Sequence, residues 1–252
     1  DMRRLEGYRN FCNKLWNAAR FVLSNCDGQD VAVDHDNVEL SVADQWIISR
    51  LQRAELHVTE AFNSYRFDQA AQAIYEFVWN EYCDWYLELS KPVLNGDSSP
   101  AAKAGTRRTL LRVLEAMLRL MHPIMPYISE EIWQRVKVLV GKTGESIMLE
   151  AYPVADNSKI NLEAEADVEW LKSVIAGIRN IRGEMNISPS KQLPVLFHNS
   201  SATDQQRLQR YSSQLRFLAR LESVDVLAID ADLPPAATAL VGNMAVLVPL
   251  KG

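Results

Sequence analysis

The side chains best suited to bind a ligand lie in residues 3–25, on the polar face of a predicted helix. At about 100° per residue, the apolar residues of this stretch fall on one broad face, which we expect to be buried. The opposite face carries one aromatic ring, Phe21, among basic and amide side chains: Arg3, Lys14, Asn17 and Arg20. Such a surface can hold phosphate groups and stack an unpaired base. The alternative is a solvated basic face on which Phe21 packs against a neighbouring helix.

A second apolar residue, Leu87, is also predicted on a polar face. A helix from about residue 68 to residue 89 places most of its aromatic side chains on one side, which we expect to be core. Leu87 instead projects between Asn80 and Asp84. If this helix packs beside the first one, Phe21 and Leu87 would contact the two faces of one flipped base. An exposed leucine alone indicates little, so the hypothesis depends on the pair.

Two pairs of arginines are candidates for contact with an RNA backbone. Arg108 and Arg112 line one side of a predicted helix, and Arg179 and Arg182 share a face of another. Guanidinium groups bind phosphate oxygens well and fix the position of a nucleic acid. The alternative for Arg108 and Arg112, which the pattern favours, is a solvated surface.

The sequence offers little for catalysis. Gly141-Lys142-Thr143 imitates the end of a phosphate-binding loop, but Val136 stands where that motif needs its first glycine. The four histidines and three cysteines lack the spacing of metal ligands, so we expect no metal site. No nucleophile has a partnered base, which disfavours a free-standing hydrolase or transferase. The odd number of widely spaced cysteines favours a reducing compartment, and we expect a cytoplasmic protein.

The composition is that of a soluble globular protein. Of 252 residues, 48% are hydrophobic and 23% are charged, and no run of about eighteen apolar residues predicts a membrane span. The net charge of −5 disfavours an indiscriminate nucleic-acid binder. Basic residues are nevertheless concentrated in residues 1–25 and 101–145, which favours a shaped and selective partner. Because the chain begins with Asp1 and no signal sequence precedes the first helix, we expect a piece of a longer protein.

Two parts with different architecture are predicted. Residues 1–144 have the pattern of an all-helical bundle of about five helices, in which Ser41 and Asp44 form a capping box at the start of the second helix. Residues 145–252 contain both strand and helix patterns. They are predicted to form a small α+β subdomain, with two helices on a mixed or antiparallel sheet. The predicted fold class is therefore mostly α, a helical bundle followed by a small α+β part.

Four stretches resemble the anticodon-binding part of class I aminoacyl-tRNA synthetases of the valine, isoleucine and leucine group. In chain order they are RNFCNKLWNAARFVL (9–23), WNEYCDWYLELSKP (79–92), HPIMPYISEEIW (122–133) and IRNIRGEMNISPSK (178–191). The resemblance covers essentially the whole chain. Residues 79–92 look most like the bacterial valyl enzymes, and the equivalent isoleucyl domain is the near alternative.

The resemblance implies a non-catalytic anticodon recognition module of a valine–tRNA ligase, an enzyme that attaches valine to tRNA(Val) with ATP and Mg²⁺. Its partners would be the tRNA and the catalytic and editing domains of the same parent chain. The HIGH-type and KMSKS-type sequences that hold ATP in the family are absent from this sequence. The C-terminal coiled coil of the valyl enzymes would follow Gly252.

In the family the first helix of the bundle meets the anticodon. Carried over to this sequence, the resemblance assigns tRNA anticodon contacts to six side chains: Arg3, Lys14, Asn17, Arg20, Phe21 and Leu87. Roles for Arg179 and Arg182 depend on the direction in which their face points. A helical protein-interaction module is the alternative from another functional class, and tRNAs that differ only in the anticodon would distinguish the two.

Overall fold

The computed structural model describes residues 2–250 and their side chains, except those of Met2 and Arg4. The first part of the chain is a helical bundle, and its helices are α1 (Met2–Cys26), α2 (Val42–Asn63), α3 (Phe67–Tyr75), α4 (Leu87–Asn95), α5 (Pro100–Met121) and α6 (Pro126–Leu139). A π-helical segment, Glu76–Tyr86, joins α3 to α4 without a break. The predicted bundle is therefore confirmed.

The start of α2 has the geometry that the sequence predicts. Ser41 Oγ accepts a hydrogen bond from the Asp44 N–H (3.1 Å), and the Asp44 carboxylate accepts one from the Ser41 N–H (2.9 Å), which confirms the capping box. Asp44 is buried and also accepts bonds from the hydroxyls of Tyr86 (2.6 Å) and Thr106 (2.9 Å). Burial raises the pKa of Asp44, and these donors oppose the rise. One carboxylate thus joins α2, the π segment and α5.

The apolar face of α1 is buried along most of the helix but not at its beginning. Leu15 and Val22 are fully buried, and α1 contacts α5, α6 and the π segment. Leu5 and Tyr8 have the same periodicity, yet they are 60% and 67% exposed. The expectation of burial is wrong for these two residues. Helical periodicity identifies the apolar face, but it does not show how far the neighbouring helices extend.

The π segment is the irregular part of the bundle. Its backbone hydrogen bonds span five residues instead of four, as in the bond from the Leu87 N–H to the Tyr82 carbonyl. In this wider turn each residue advances by less than 100°, so the side chains that follow lie on a different face from that of a regular helix. The segment is anchored by Tyr82, which is fully buried and donates to the Leu110 carbonyl at 2.7 Å.

The chain divides into two units, one up to Glu165 and one from Ala166 onward. This division lies later than the boundary between residues 144 and 145 that the sequence suggests. The reason is that the intervening segment packs on the bundle. The Tyr152 hydroxyl donates to the Leu120 carbonyl on α5 (2.8 Å), and the Asp156 N–H donates to Gln52 on α2 (2.8 Å).

The second unit is a small α+β fold. It contains β1 (Leu193–His198), α8 (Ala202–Ala219), β2 (Leu221–Val226), β3 (Ala236–Val241) and β4 (Met244–Pro249), together with most of α7 (Leu162–Glu184). The strands form one sheet in the order β2-β1-β4-β3, in which β1 and β2 are parallel and the other pairs are antiparallel. Val195 and Phe197 of β1 are fully buried. The mixed sheet and the mostly α fold class confirm the prediction.

Candidate nucleic-acid interface

α1 packs beside the helix formed by the π segment and α4, as a shared RNA surface on these two helices requires. We call this line of contact the seam. The seam comprises Lys14, Asn17, Arg20 and Phe21 on α1, and Trp79, Asp84 and Lys91 on the neighbouring helix.

Lys14 is held against the π segment. Its ammonium forms an ion pair with Asp84 and lies 4.0 Å from the centre of the Trp79 ring. Trp79 is half-buried and stacks on Tyr75, with 5.6 Å between the ring centres, and Phe11 stacks on both rings. The carboxylate and the ring both stabilise the ammonium charge. Lys14 is therefore fixed in position, but Asp84 compensates its charge, which leaves less of that charge to attract RNA.

Phe21 is the aromatic side chain best placed to meet a base. Its ring is half-buried, so one part contacts the bundle and another part is open to solvent. Lys91 Nζ lies 5.7 Å from the ring centre, and Lys91 also pairs with Glu88 at 2.6 Å. A base stacked on the open part of the ring would gain aromatic contact and would lie close to an ammonium group.

Asn17 and Arg20 lie within one turn of Phe21 and are exposed. An amide offers both a donor and an acceptor, and a guanidinium offers several donors in a plane, so both groups can hydrogen-bond to base edges or phosphate. Asn17 is a neighbour of Phe21, four residues later, and of Arg20, three residues later. Arg20 and Phe21 are consecutive and point about 100° apart, so Asn17 links the ring to the guanidinium.

Arg3 does not belong to that surface. It is exposed near the beginning of α1. At a helical rise of about 1.5 Å per residue, it lies roughly 26 Å from Arg20 along the helix axis. A single nucleotide bound at Phe21 therefore cannot also contact Arg3. Only another part of the same RNA molecule could reach that arginine.

Leu87 cannot act as the second wall for a flipped base. Its side chain is 8% exposed and belongs to the core, so the prediction of an exposed leucine is wrong. The cause is the π segment immediately before it, because a wheel drawn at 100° per residue places Leu87 on the wrong face. Lys91, about one turn further along, is the residue of α4 that approaches the Phe21 ring.

Arg108 and Arg112 line a groove between α2 and α5. Arg108 pairs with Asp36 (3.0 Å) and donates to the His35 carbonyl (3.4 Å). Arg112 is exposed. Desolvation, and then the nearby charge of Arg108, lowers the pKa of Arg112, and the charge of Asp36 opposes this shift. Among the described residues Arg112 forms no ion pair, so its charge is the more available of the two for an anion.

Arg182 has a structural role in the second unit. It is 6% exposed. Its guanidinium donates four hydrogen bonds of 2.8–3.1 Å to the backbone carbonyls of Ser188, Lys191, Ala219 and Arg220. The prediction that Arg182 contacts RNA is wrong, because these carbonyls already occupy its donors. Arg179, three residues earlier on α7, is exposed.

The groups considered for catalysis are engaged in structural contacts. Lys142 pairs with Glu150 (2.7 Å) and Glu115 (3.0 Å), so its charge is not available to a nucleotide phosphate. Burial raises the pKa of Cys26 and of Cys83 to about 12, which keeps both thiols protonated and unreactive. Within residues 2–250, no three His, Cys, Asp or Glu side chains are grouped closely enough to hold a metal ion. None of the described helices has the length and apolarity that a membrane crossing needs.

Comparison with known proteins identifies the family of the chain. The sequence model of the family described as "Anticodon-binding domain of tRNA ligase" matches residues 44–197. The chain belongs to this family. It is also 50% identical over 253 residues to the valine–tRNA ligase of Acinetobacter baylyi, an alignment that covers 100% of this chain and 26% of that relative. The chain thus spans about a quarter of the length of the relative. The predicted resemblance to the anticodon-binding part of a valyl enzyme is confirmed.

Sequence reasoning missed three residues of the seam in this anticodon-binding domain. Trp79 shares the aromatic face that was assigned to the core, and Asp84 and Lys91 lie on the polar face around Leu87. A usable signal exists for Asp84 alone. It is an acid on the polar face of one predicted helix, and the facing helix carries Lys14. Nothing in the sequence pairs Lys91 with Phe21, because their proximity depends on the π segment.

Proposed function

We propose that this anticodon-binding domain recognises the anticodon loop of tRNA(Val) as part of a valine–tRNA ligase. The 50% identity to the Acinetobacter enzyme supports the choice of valine. The observation that carries the proposal is the half-exposed Phe21 ring, with the exposed Asn17 one helical turn before it. An anticodon loop presents unpaired bases, which stack on aromatic rings and hydrogen-bond along their edges.

In this proposal the seam residues have separate tasks. Phe21 stacks on a splayed base, which contributes about 1–3 kcal/mol. Asn17 and Arg20 hydrogen-bond to base edges or to a loop phosphate. Lys14, which is paired with Asp84, positions the π segment and adds a smaller attraction for RNA.

The remaining basic candidates would act away from the loop. We propose that Arg3, Arg112 and Arg179, which are exposed, contact the RNA backbone. Arg108 contributes less, because Asp36 compensates its charge. Phosphate contacts of this kind set the position of the RNA and carry no sequence information.

The whole protein, in this proposal, attaches valine to tRNA(Val) in the cytoplasm with ATP and Mg²⁺, through catalytic and editing domains on the same chain. The short sequence of this domain that imitates a phosphate-binding loop does not fit an ATP site. Lys142, in the short sequence that imitates a phosphate-binding loop, pairs with two glutamates, Glu115 and Glu150. We therefore assign binding to this domain and no step of the chemistry.

The test is a titration of this chain with a hairpin RNA that carries a valine anticodon loop, compared with hairpins that carry an isoleucine anticodon or a scrambled loop. Phe21→Ala should weaken binding to the valine hairpin by about 5- to 150-fold, the equivalent of 1–3 kcal/mol. The matched control is Tyr127→Ala. Tyr127 is an aromatic residue on α6 that is 90% exposed and lies outside the seam, so its loss should leave affinity unchanged.

Three outcomes would contradict the proposal. Equal affinity for all hairpins would favour a protein-interaction module, and tighter binding of the isoleucine hairpin would favour the isoleucyl parent. A Phe21→Ala protein that unfolds more easily, while its folded fraction binds RNA normally, would remove the stacking role. Urea unfolding of each variant separates this last case from a true loss of binding.

A further inference from the structure

A groove of about 1060 Å³ lies between α2, α5 and the segment formed by residues 151–162. Its volume is that of a site for a small molecule or a nucleotide. Hydrogen bonds hold the segment to both helices. Arg119 Nη1 donates to the Ala151 carbonyl (2.8 Å), and the Tyr152 and Asp156 bonds to α5 and α2 are of the same length (2.8 Å). The groove is therefore built into the folded bundle.

A buried carboxylate, that of Glu55, lines this groove. Glu55 on α2 is 4% exposed, and no hydrogen bond from a described residue contributes to the pKa of its carboxyl. Among the described residues, every side-chain oxygen that is fully sealed from solvent has a hydrogen-bond partner. The unpartnered Glu55 oxygens therefore keep some contact with solvent, and Glu55 lines the groove. Burial raises the pKa of Glu55 to about 7, and the charges of Arg119 and Lys159 oppose the rise. A carboxylate of this kind gains from a ligand that brings hydrogen-bond donors.

Two of the four cations in the groove are available to an anion. Arg119 is engaged by Glu115 at 2.9 Å, and Arg108 is paired as described above. Arg112 forms no ion pair with any described residue, and Lys159 has only a contact of 3.9 Å with Asp156. The groove thus offers two cations and one carboxylate whose oxygens accept hydrogen bonds, which matches a ligand with a phosphate and a donor-bearing ring.

We propose that this groove is a second nucleotide-binding site, in which Arg112 and Lys159 hold a phosphate and Glu55 accepts hydrogen bonds from a guanine. Guanine presents two adjacent donors, N1–H and the N2 amino group, that match the two oxygens of a carboxylate, whereas uracil has no amino group. The nucleotide belongs to the same RNA that the seam binds, outside the anticodon loop. In that respect the inference rests on the proposed function.

The test uses this chain with GMP, UMP and inorganic phosphate as separate probes, at pH 8, where Glu55 is ionised. We expect GMP to bind about tenfold more tightly than UMP, the discrimination of a good two-bond contact. Glu55→Gln should remove this preference and leave phosphate binding intact. Arg112→Ala and Lys159→Ala, which change exposed side chains, should weaken all three probes. Arg66→Ala is the control, because Arg66 is exposed, pairs with Asp68 and lies outside the groove.

The outcomes separate this site from the seam. If GMP, UMP and phosphate bind equally, or if Glu55→Gln keeps the preference for GMP, the groove does not recognise a base and the proposal is overturned. It is also overturned if Arg112→Ala and Lys159→Ala leave GMP binding unchanged. Phe21→Ala should not alter GMP binding. If Phe21→Ala abolishes hairpin binding and GMP does not bind the parent protein, the proposed function of the seam is supported and the groove proposal is overturned. If Phe21→Ala leaves hairpin binding unchanged and GMP binds as expected, only the proposal for the seam is rejected.

Discussion

Arg182→Met should destabilise the second unit without changing how the bundle binds RNA. Methionine keeps much of the apolar volume but removes the four hydrogen bonds to backbone carbonyls. At about 1 kcal/mol net for each bond, the loss is roughly 3–4 kcal/mol, since water can reach some of the carbonyls in the variant. Such a loss is a large fraction of the stability of a small unit.

Amide hydrogen exchange is the suitable measurement, because it reports the stability of β1 and α8 separately from that of the bundle. A loss of 3–4 kcal/mol corresponds to exchange that is roughly 10²- to 10³-fold faster in these elements. Arg179→Met is the matched control, because Arg179 is an exposed arginine on the same helix. The reasoning is refuted if Arg182→Met keeps full protection in β1 and α8 and instead weakens binding of the anticodon hairpin.

Two further predictions concern single side chains of the bundle. Leu87→Ala should lower the free energy of unfolding by about 2–5 kcal/mol in urea titrations, because the leucine is core; unchanged stability with weaker hairpin binding would return Leu87 to the RNA surface. Burial raises the pKa of Glu55 from 4.5 to about 7. Between these two pH values the folded protein keeps a proton on Glu55 that the unfolded chain has lost, so the free energy of unfolding falls as pH rises from 4.5 to about 7. The free energy of unfolding of Glu55→Gln, relative to that of the parent protein, should therefore rise by about 2–3 kcal/mol from pH 5 to pH 8. If urea unfolding shows the same difference between the two proteins at both pH values, the raised pKa is contradicted.

The sequence predicts local and periodic features of this domain well. The bundle, the presence of a small sheet and the Ser41–Asp44 capping box all follow from residue spacing, because each depends on contacts within one element or on the side of an element that is apolar. Spacing left open whether the sheet is mixed or antiparallel. α1 packs beside the π segment, as the hypothesis of a shared surface around Phe21 assumes. The bundle, the sheet and the capping box need no knowledge of distant contacts, whereas the packing of these two helices is an assumption of the sequence analysis.

The remaining features depend on contacts that spacing does not reveal. Leu87 is buried because the helix before it changes its winding, and no residue type signals a π segment. Arg182 is buried because two loops bring their carbonyls to one point, which only the folded second unit defines. Lys14 is compensated by Asp84, seventy positions later in the chain. For Arg182 and Lys14, residue spacing identifies the helix that carries the cation but not the distant groups that bind it. For Leu87, spacing assigns the wrong face.

The ion pairs along the seam determine how the domain should respond to salt. Lys14 is matched by Asp84 and Lys91 by Glu88, so few cations remain there to displace the counterions condensed on RNA. Each cation that displaces counterions makes affinity fall more steeply with ionic strength, by an exponent of about 0.7 for a single strand. Hairpin binding at the seam should decline only gently as salt increases, and a polyanion without bases, such as heparin, should compete poorly. If the proposed function holds, affinity at the seam depends more on stacking and hydrogen bonds to bases than on the number of phosphates that an RNA presents.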